Sequence, residues 1–205
     1  MSTTLPPASL PHADTVPPLH RFTVEEYLQL SRIGVVHADD NLELIEGVIV
    51  DKMTQNPPHA VCVTRLNRLL LQQLDDRWSV RSQTVLGLAD SLPEPDFVIA
   101  VGPDDRYARS HPAPADTALV IEVSHDTLQY DRRTKGRVYA RAGVARYWIV
   151  NLVDRQIEQY ADPDSAAVEP SYRLKQVYRE HETVTFQPDG KTTISLKVAD
   201  TLPPP

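Results

Sequence analysis

Two acidic residues in apolar surroundings are the first candidates for chemistry in this sequence. Glu122 interrupts the apolar run at 118–124, and Asp96 opens the apolar run at 97–101. Both runs are short and rich in β-branched residues, which is typical of strands buried on both faces. A buried carboxylate persists only when it is paired with a cation or bound to a metal. Two such acids on core strands therefore predict a shared cleft.

A lysine in a later helical pattern is the third candidate. Val138 and Tyr139 follow Lys135 by three and four residues, which places the ammonium on the apolar stripe of the helix. A lysine in that position needs a carboxylate or an anionic ligand to remain charged. We therefore expect Asp96, Glu122 and Lys135 to converge.

These residue types together indicate one kind of reaction. Neighbouring carboxylates repel each other unless a cation lies between them, and hard oxygen ligands favour Mg²⁺ or Mn²⁺ over zinc. A nearby lysine can orient an attacking water and stabilise the charge that develops on a phosphate. The combination predicts metal-dependent hydrolysis of phosphodiester bonds.

An ordered series of short motifs carries a family resemblance from Phe22 to about Tyr160. The series is Pro95-Asp96, Glu122-Val123-Ser124, Asp131, Lys135, Tyr139, Ala142-Gly143 and Tyr147-Trp148-Ile149-Val150. It resembles the Uma-two family, within the PD-(D/E)xK nuclease superfamily. The resemblance implies a restriction-endonuclease-like core and a DNA substrate, with Asp96 and Glu122 as ligands of Mg²⁺ or Mn²⁺ and Lys135 as the catalytic lysine.

The sequence departs from the superfamily pattern at one position. The usual lysine lies two residues after the acid, where this chain has Ser124. The resemblance therefore implies a lysine that has moved from the strand to the following helix. This departure favours an alternative function, in which a nuclease-derived module binds nucleic acid or a protein partner and performs no chemistry.

Three further polar residues are weaker candidates for the same site. Glu46 matches an acidic position in the family's first hairpin, which implies a further metal ligand; a hairpin-edge glutamate is also often simply exposed. His59 matches a histidine that the family often carries, although a structural role at the helix start competes with substrate contact. Gln83, on a predicted strand, is expected to line the cleft.

A basic segment surrounds the candidate lysine. Its arginines are Arg132, Arg133, Arg137, Arg141 and Arg146, opposed only by Asp131. Arg132, Arg133 and Arg137 are predicted to contact DNA phosphates, and the alternative is a solvated helix face. The net charge of -7 argues against general electrostatic attraction to nucleic acid.

Asp96, Glu122 and Lys135 each also have a purely structural interpretation. Asp96 could cap the start of a strand, and Glu122 could be an ion-pair partner. Lys135 could pair with Asp131 at helical i, i+4 spacing. A third functional class, a self-associating structural protein, rests on unpaired strand edges. A homodimer is expected and is compatible with all of these functions.

The periodicity of the sequence predicts the elements that must position these residues. A first helix is expected from Thr23, which has capping-box spacing to Glu26, to about Arg32. Two further helices are expected at 58–76 and at 127–142, the latter ended by Gly143. Strands are expected at 42–50 with a hinge near Gly47, and at 78–86, 96–101, 118–124, 145–151, 154–160, 172–178 and 182–186. This order predicts an α/β (α+β) fold. We expect a mixed sheet flanked by helices, with an N-terminal hairpin and extra C-terminal antiparallel strands.

Length and composition limit the remaining possibilities. The 205 residues predict one domain at 21–200, with a flexible Pro-rich arm at 1–20 and a Pro-rich tail at 201–205. Cys62 is the only cysteine, which excludes an internal disulfide and a cysteine-rich zinc site. Cys62, Tyr139 and Trp148 are expected in the core. The sequence has no membrane-length apolar run and no signal pattern, so we expect a cytoplasmic protein.

Overall fold

A six-stranded mixed sheet lies at the centre of the fold. The computed structural model describes residues 18–37, 39–52 and 56–204, so the predicted arm at 1–20 lies almost wholly outside the described residues. The strands of the sheet, in spatial order, are β3 (Trp78–Ser82), β4 (Phe97–Val101), β5 (Thr117–Ser124), β6 (Arg146–Asn151), β7 (Gln156–Asp164) and β8 (Ser171–Arg179). Strands β5 and β6 are parallel, and all other neighbours are antiparallel.

Both faces of the central strands are buried by flanking layers. Phe97 and Ile99 contribute to one core, and Val98 and Ala100 contribute to the other. Helix α2 (Pro57–Leu71) covers the first face, together with the hairpin of β9 (Thr183–Phe186) and β10 (Ile194–Lys197) and the short helix α5 (Val198–Thr201). Continuous apolar runs are what strands buried on two faces require.

A helical crossover covers the second face and connects the two parallel strands. It consists of α3 (Leu128–Tyr130), a π-helical turn (Asp131–Lys135) and α4 (Gly136–Arg141). Val138 and Tyr139 bury themselves in the second core. Gly143 has φ +76°, the left-handed conformation that ends a helix without a side-chain clash. Because parallel strands cannot be joined by a tight turn, this segment must cross the sheet face directly beside β5.

The N-terminal hairpin packs against the edge of this assembly. Strands β1 (Leu42–Ile45) and β2 (Val48–Asp51) are joined by a two-residue turn in which Glu46 and Gly47 both have positive φ. A bridge between Leu44 and Leu92 fixes the hairpin, with the Leu92 N–H donating to the Leu44 carbonyl at 2.7 Å. Helix α1 (Val24–Arg32), which begins at the predicted capping box, packs on Leu44 through Tyr27.

The predicted elements are largely confirmed, with differences at their ends. Helix α2 ends at Leu71 rather than 76, and β3 ends at Ser82 because Gln83 adopts φ +51° and leaves the strand. The predicted helix at 127–142 is a single helical path with a π turn at its centre. Strand β10 and helix α5 were not predicted.

The buried residues agree with the expected core. Tyr139, Trp148 and Cys62 are fully buried. Burial raises the pKa of the Cys62 thiol to about 12, so it remains protonated and inert. None of the helices among the described residues has the length and apolar character needed to cross a membrane.

The C-terminal residues pack against the domain instead of extending from it. Leu202 is 1% exposed and belongs to the first core. Arg65 donates to the Leu202 carbonyl, and Arg155 donates to the Pro203 carbonyl at 3.2 Å. The predicted tail at 201–205 is therefore docked as far as Pro203, because Leu202 anchors it and two arginines satisfy its carbonyl groups.

We expect Leu202→Ala to lower the free energy of unfolding by about 2–5 kcal/mol, the usual cost of truncating a buried leucine. Leu174→Ala is the matched control, because Leu174 is 60% exposed and its loss should change stability by less than about 0.5 kcal/mol. Urea denaturation of both variants measures the difference. Equal stabilities would contradict the docking of the C-terminal segment.

Candidate functional site

The strand register brings Asp96 and Glu122 face to face. Phe97 pairs with Ile121 in the antiparallel β4–β5 ladder, so the next positions outward are Asp96 and Glu122. The Asp96 N–H lies 3.4 Å from Glu122 Oε2, and the Val123 N–H donates to Asp96 Oδ2 at 2.8 Å. Both acids are buried, and both line one cleft.

Lys135 reaches the same cleft from the crossover helix. Its Nζ lies 2.9 Å from Glu43 Oε2 and 3.5 Å from Glu122 Oε1, and its side chain is 6% exposed. Tyr139, one turn further along the helix, donates its hydroxyl to Glu122 Oε1 at 2.7 Å. The structure thus brings Asp96, Glu122 and Lys135 together, as the sequence predicted.

Ser124, on the strand that carries Glu122, anchors the helical segment that carries Lys135. Side chains two apart on a strand share a face, so Ser124 and Glu122 both point towards the crossover helix. Asp131 Oδ2 accepts hydrogen bonds from Ser124 Oγ at 2.6 Å and from Thr127 Oγ1 at 2.5 Å. With Asp131 held in this way, Lys135 pairs with Glu43 and Glu122 rather than in the alternative i, i+4 pair.

Two polar side chains orient the carboxylate of Asp96. His59 Nε2 lies 3.1 Å from Asp96 Oδ2, and Gln83 Nε2 donates to Asp96 Oδ1 at 3.3 Å. His59 occupies the first turn of α2, where Asn56 caps the helix by accepting from the His59 N–H. Both His59 and Gln83 line the cleft, as expected.

The hairpin contributes Glu43 to the cleft and holds Glu46 outside it. Glu43 Oε2 accepts from Lys135 and from the Glu94 N–H at 3.0 Å, whereas Glu46 bonds Arg137 and Arg141 at 2.6 Å each. Glu46 lies in the turn, where its positive φ ends the strand alternation on which the prediction relied. The expectation that Glu46 joins the metal-site acids is therefore corrected. Glu43 was not identified from the sequence. The available signal was the alternation of side chains in β1, which places Glu43 and Leu44 on opposite faces of the strand.

The predicted phosphate-binding arginines lie away from the cleft wall. Arg132 forms an ion pair with Glu158, a fully buried residue of β7, and Arg137 pairs with Glu46. Their positive charges are thus largely offset by carboxylates of the chain itself. Arg133 is exposed. Arg132 and Arg137 are thus paired within the chain and do not line the cleft, and their contact with DNA phosphates stays a prediction.

The cleft is strongly acidic. Its volume is about 590 Å³, and its charged lining consists of Glu43, Asp51, Glu94, Asp96, Glu122, Asp126, Asp131, Lys52 and Lys135, together with His59 and His125. Lys52 is paired with Glu94 at 2.6 Å. Carboxylates therefore outnumber lysines in the cleft, and a polyanion cannot enter it favourably unless cations accompany it.

Burial and like charges shift the protonation of the central groups. Burial, together with the carboxylates of Asp131 and Asp96, raises the pKa of Glu122 to about 8 against the opposing effect of Lys135. Burial alone would lower the pKa of Lys135, but Glu122 and Glu43 outweigh it and raise that pKa. Burial also raises the pKa of Asp131. The site therefore favours additional positive charge.

The donor set fits one type of metal ion. Mg²⁺ is commonly bound through one or two carboxylates together with waters and substrate phosphates, and Asp96 and Glu122 supply two adjacent carboxylates. Within the described ranges, no group of three or more His, Cys, Asp or Glu side chains is arranged to hold a metal. The residues thus suit a hard ion that completes its coordination with water and substrate, and they do not suit a closed structural site.

Comparisons with known proteins agree with the motifs and the fold. Residues 24–199 match the family model Uma2, described as "putative restriction endonuclease", which confirms the resemblance drawn from the motif series. The fold is similar to the crystal structure of a DUF820 protein from Anabaena variabilis ATCC 29413 described as a putative nuclease. That comparison has a TM-score of 0.60 and 16% identity, and it covers 88% of this chain and 97% of the other.

The type IIG restriction endonuclease BpuSI aligns at a TM-score of 0.36 and 22% identity, over 54% of this chain and 12% of that protein. No curated protein matches the sequence.

We expect Glu122 to make the stability of the metal-free protein depend on pH. Its pKa is raised from 4.5 to about 8 on folding, so its contribution to stability is complete below pH 4.5 and is lost as the pH rises towards 8. The free energy of unfolding of the wild type, relative to Glu122→Gln, should therefore fall across this interval. Urea denaturation in the presence of a chelator measures it, with the exposed Glu169→Gln as control. Parallel pH profiles for wild type and Glu122→Gln would contradict the raised pKa.

Proposed function

The chain belongs to the Uma2 family of putative restriction endonucleases, and we propose that it is a metal-dependent endonuclease that hydrolyses phosphodiester bonds of DNA. The observation that carries this proposal is the meeting of Asp96, Glu122 and Lys135 in one buried cleft. In the reaction, a water oxygen forms a bond to phosphorus and one P–O ester bond breaks. The products are a phosphate monoester and a hydroxyl group, which takes up the proton that balances the one lost by water.

Asp96 and Glu122 are the proposed ligands of the metal. Mg²⁺ or Mn²⁺, when bound, would lower the pKa of the attacking water and offset charge on the phosphate. His59 and Gln83 hold the Asp96 carboxylate in a fixed orientation through their contacts of 3.1 and 3.3 Å. Such outer partners of a ligand usually affect metal affinity about 10–100-fold.

Lys135 is the proposed catalytic cation. Its ammonium lies 3.5 Å from Glu122 Oε1, and Ser124, at the position of the superfamily's usual strand lysine, donates instead to Asp131. There it can donate a hydrogen bond to the attacking water or to a phosphate oxygen, and it stabilises the charge that develops during attack.

Glu43 is the proposed positioning residue for this lysine. Lysine has a flexible stem, and a helix-borne ammonium needs a second anchor in order to hold one position. The Glu43 carboxylate at 2.9 Å supplies this anchor from the N-terminal hairpin, and the Glu94 N–H fixes the carboxylate in turn. Docking of the hairpin through Leu44 and Leu92 would thus be part of assembling the active site.

A binding module without chemistry is the second candidate function. It is favoured by Ser124 and by the acidic cleft, where Lys135 is already engaged by two carboxylates. Such a module would bind nucleic acid or a partner through another surface and would have no need for the metal. Metal binding and cleavage, measured separately, distinguish the two functions.

We expect Asp96→Ala and Glu122→Ala to reduce Mg²⁺-dependent cleavage of duplex DNA by more than about 100-fold, since the loss of outer-shell partners alone costs roughly 10–100-fold. Glu169→Ala, which alters an exposed loop, is the matched control and should cleave like the wild type. Calorimetric titration with Mn²⁺ should give a saturable heat that both active-site variants lose. A wild type that gives no saturable heat with Mn²⁺ and nicks DNA no faster than Glu122→Ala would favour the binding module.

We expect Glu43→Gln to lower the single-turnover cleavage rate by roughly tenfold to hundredfold, the scale of effect of a misplaced catalytic group. Because Glu43 is proposed to act through Lys135, the heat of Mn²⁺ binding should be retained. Glu46→Gln is the matched control from the same hairpin, since its carboxylate contacts arginines outside the cleft. Equal losses in the two variants would assign the effect to the hairpin as a whole rather than to Glu43.

A further inference from the structure

The hydroxyl group of one tyrosine in the cleft wall stands out for its hydrogen bonding. Tyr130 lines the cleft, and its phenolic oxygen is buried without a hydrogen-bond partner among the described residues. Buried polar groups in folded proteins are nearly always paired, and exceptions call for a specific explanation. The location of this hydroxyl in the acidic cleft suggests that its partner is a ligand.

The π-helical turn places Tyr130 on the same side of the helix as Lys135. The two residues are five apart, and in a regular α-helix they would be separated by about 140° around the axis. The turn at 131–135 follows i→i+5 periodicity, which brings residues five apart close to one another on the helix surface. Both side chains consequently line the cleft. Single π turns of this kind occur frequently at functional sites.

The nearby acceptors of the chain are engaged by other donors. Glu122 accepts from Tyr139, and Glu43 accepts from Lys135 and from the backbone of Glu94. The Asp131 carboxylate accepts from two hydroxyl groups. Burial raises the pKa of the Tyr130 phenol to about 12, so the group keeps its proton and acts as a donor. An anionic oxygen next to Lys135 would satisfy it.

We propose that the Tyr130 hydroxyl donates a hydrogen bond to a non-bridging oxygen of the phosphodiester bound in the cleft, beside the ammonium of Lys135. This inference rests on the proposed nuclease function and extends it, because it assigns a further residue that touches the substrate. Tyr130, the last residue of α3, and Lys135, at the end of the π turn that follows, would form two arms of one phosphate clamp.

The test compares wild type with Tyr130→Phe and with Tyr178→Phe as matched control. Tyr178 is a half-buried tyrosine of β8 that packs on the first core and does not line the cleft. We would measure binding of a short fluorescein-labelled DNA duplex in Ca²⁺, single-turnover cleavage in Mg²⁺ and thermal unfolding. Tyr130→Phe should weaken binding or slow cleavage roughly tenfold to hundredfold, the scale of a hydrogen bond to a charged group.

The melting temperature distinguishes substrate contact from a structural role. Because the hydroxyl has no hydrogen-bond partner within the described part of the chain, Tyr130→Phe should unfold at the same temperature as wild type or higher. A lowered melting temperature with a matching loss of activity would overturn the proposal, and so would binding and cleavage equal to wild type. A wild type that fails to bind the duplex would overturn it as well.

The outcome for Tyr130 is separable from that for hydrolysis. One possible result is that wild type and Glu122→Ala are equally inactive, while Tyr130→Phe binds the duplex in Ca²⁺ at least tenfold more weakly than Tyr178→Phe. That result would support the phosphate contact and contradict the proposed hydrolysis. If wild type cleaved and Tyr130→Phe matched it in both assays, hydrolysis would stand and the contact would be wrong.

Discussion

The buried ammonium of Lys135 ties the N-terminal hairpin, the central sheet and the crossover helix together. A lysine side chain that is 6% exposed cannot remain charged without compensation, and here Glu43 and Glu122 approach it from the hairpin and from the central sheet. Removing one partner of such a buried pair typically costs about 3–5 kcal/mol, because it leaves an uncompensated charge. The hairpin, the sheet and the crossover helix are therefore joined by charge as well as by apolar packing. The same contacts hold the ammonium beside the acids proposed to bind metal.

The π turn is the local device that makes this arrangement possible. A strand-borne lysine at position 124 would point into the cleft automatically, because it would share a face with Glu122. A helix-borne lysine must instead be brought to the cleft by the helical register, and the turn at 131–135 does so while Ser124 anchors Asp131. Ser124 and the π turn therefore belong to one arrangement, in which Ser124 holds Asp131 and the turn that begins at Asp131 carries Lys135.

Much of this organisation was readable from sequence, and the part that was not has a physical cause. The apolar runs around Asp96 and Glu122 predicted buried strands, and the helical stripe through Lys135 predicted a buried ammonium. These patterns depend on local periodicity alone. Glu43 was missed and Glu46 was favoured, because the assignment depends on which residue begins the tight turn, and positive φ at Glu46 leaves no trace in the hydrophobic pattern. The ion pairs that occupy Arg132 and Arg137 depend on distant β-strand and hairpin residues, which single-sequence periodicity cannot locate.

The proposed function depends above all on the binding of a divalent ion by Asp96 and Glu122, within reach of Lys135. Anomalous diffraction from crystals of the protein grown with Mn²⁺ tests it most directly, because the signal locates the ion independently of activity. We expect an anomalous peak at coordination distance from one oxygen of each carboxylate, with the remaining ligands supplied by water. Crystals that show Mn²⁺ elsewhere in the cleft, or no peak at these two acids at a saturating concentration, would contradict it.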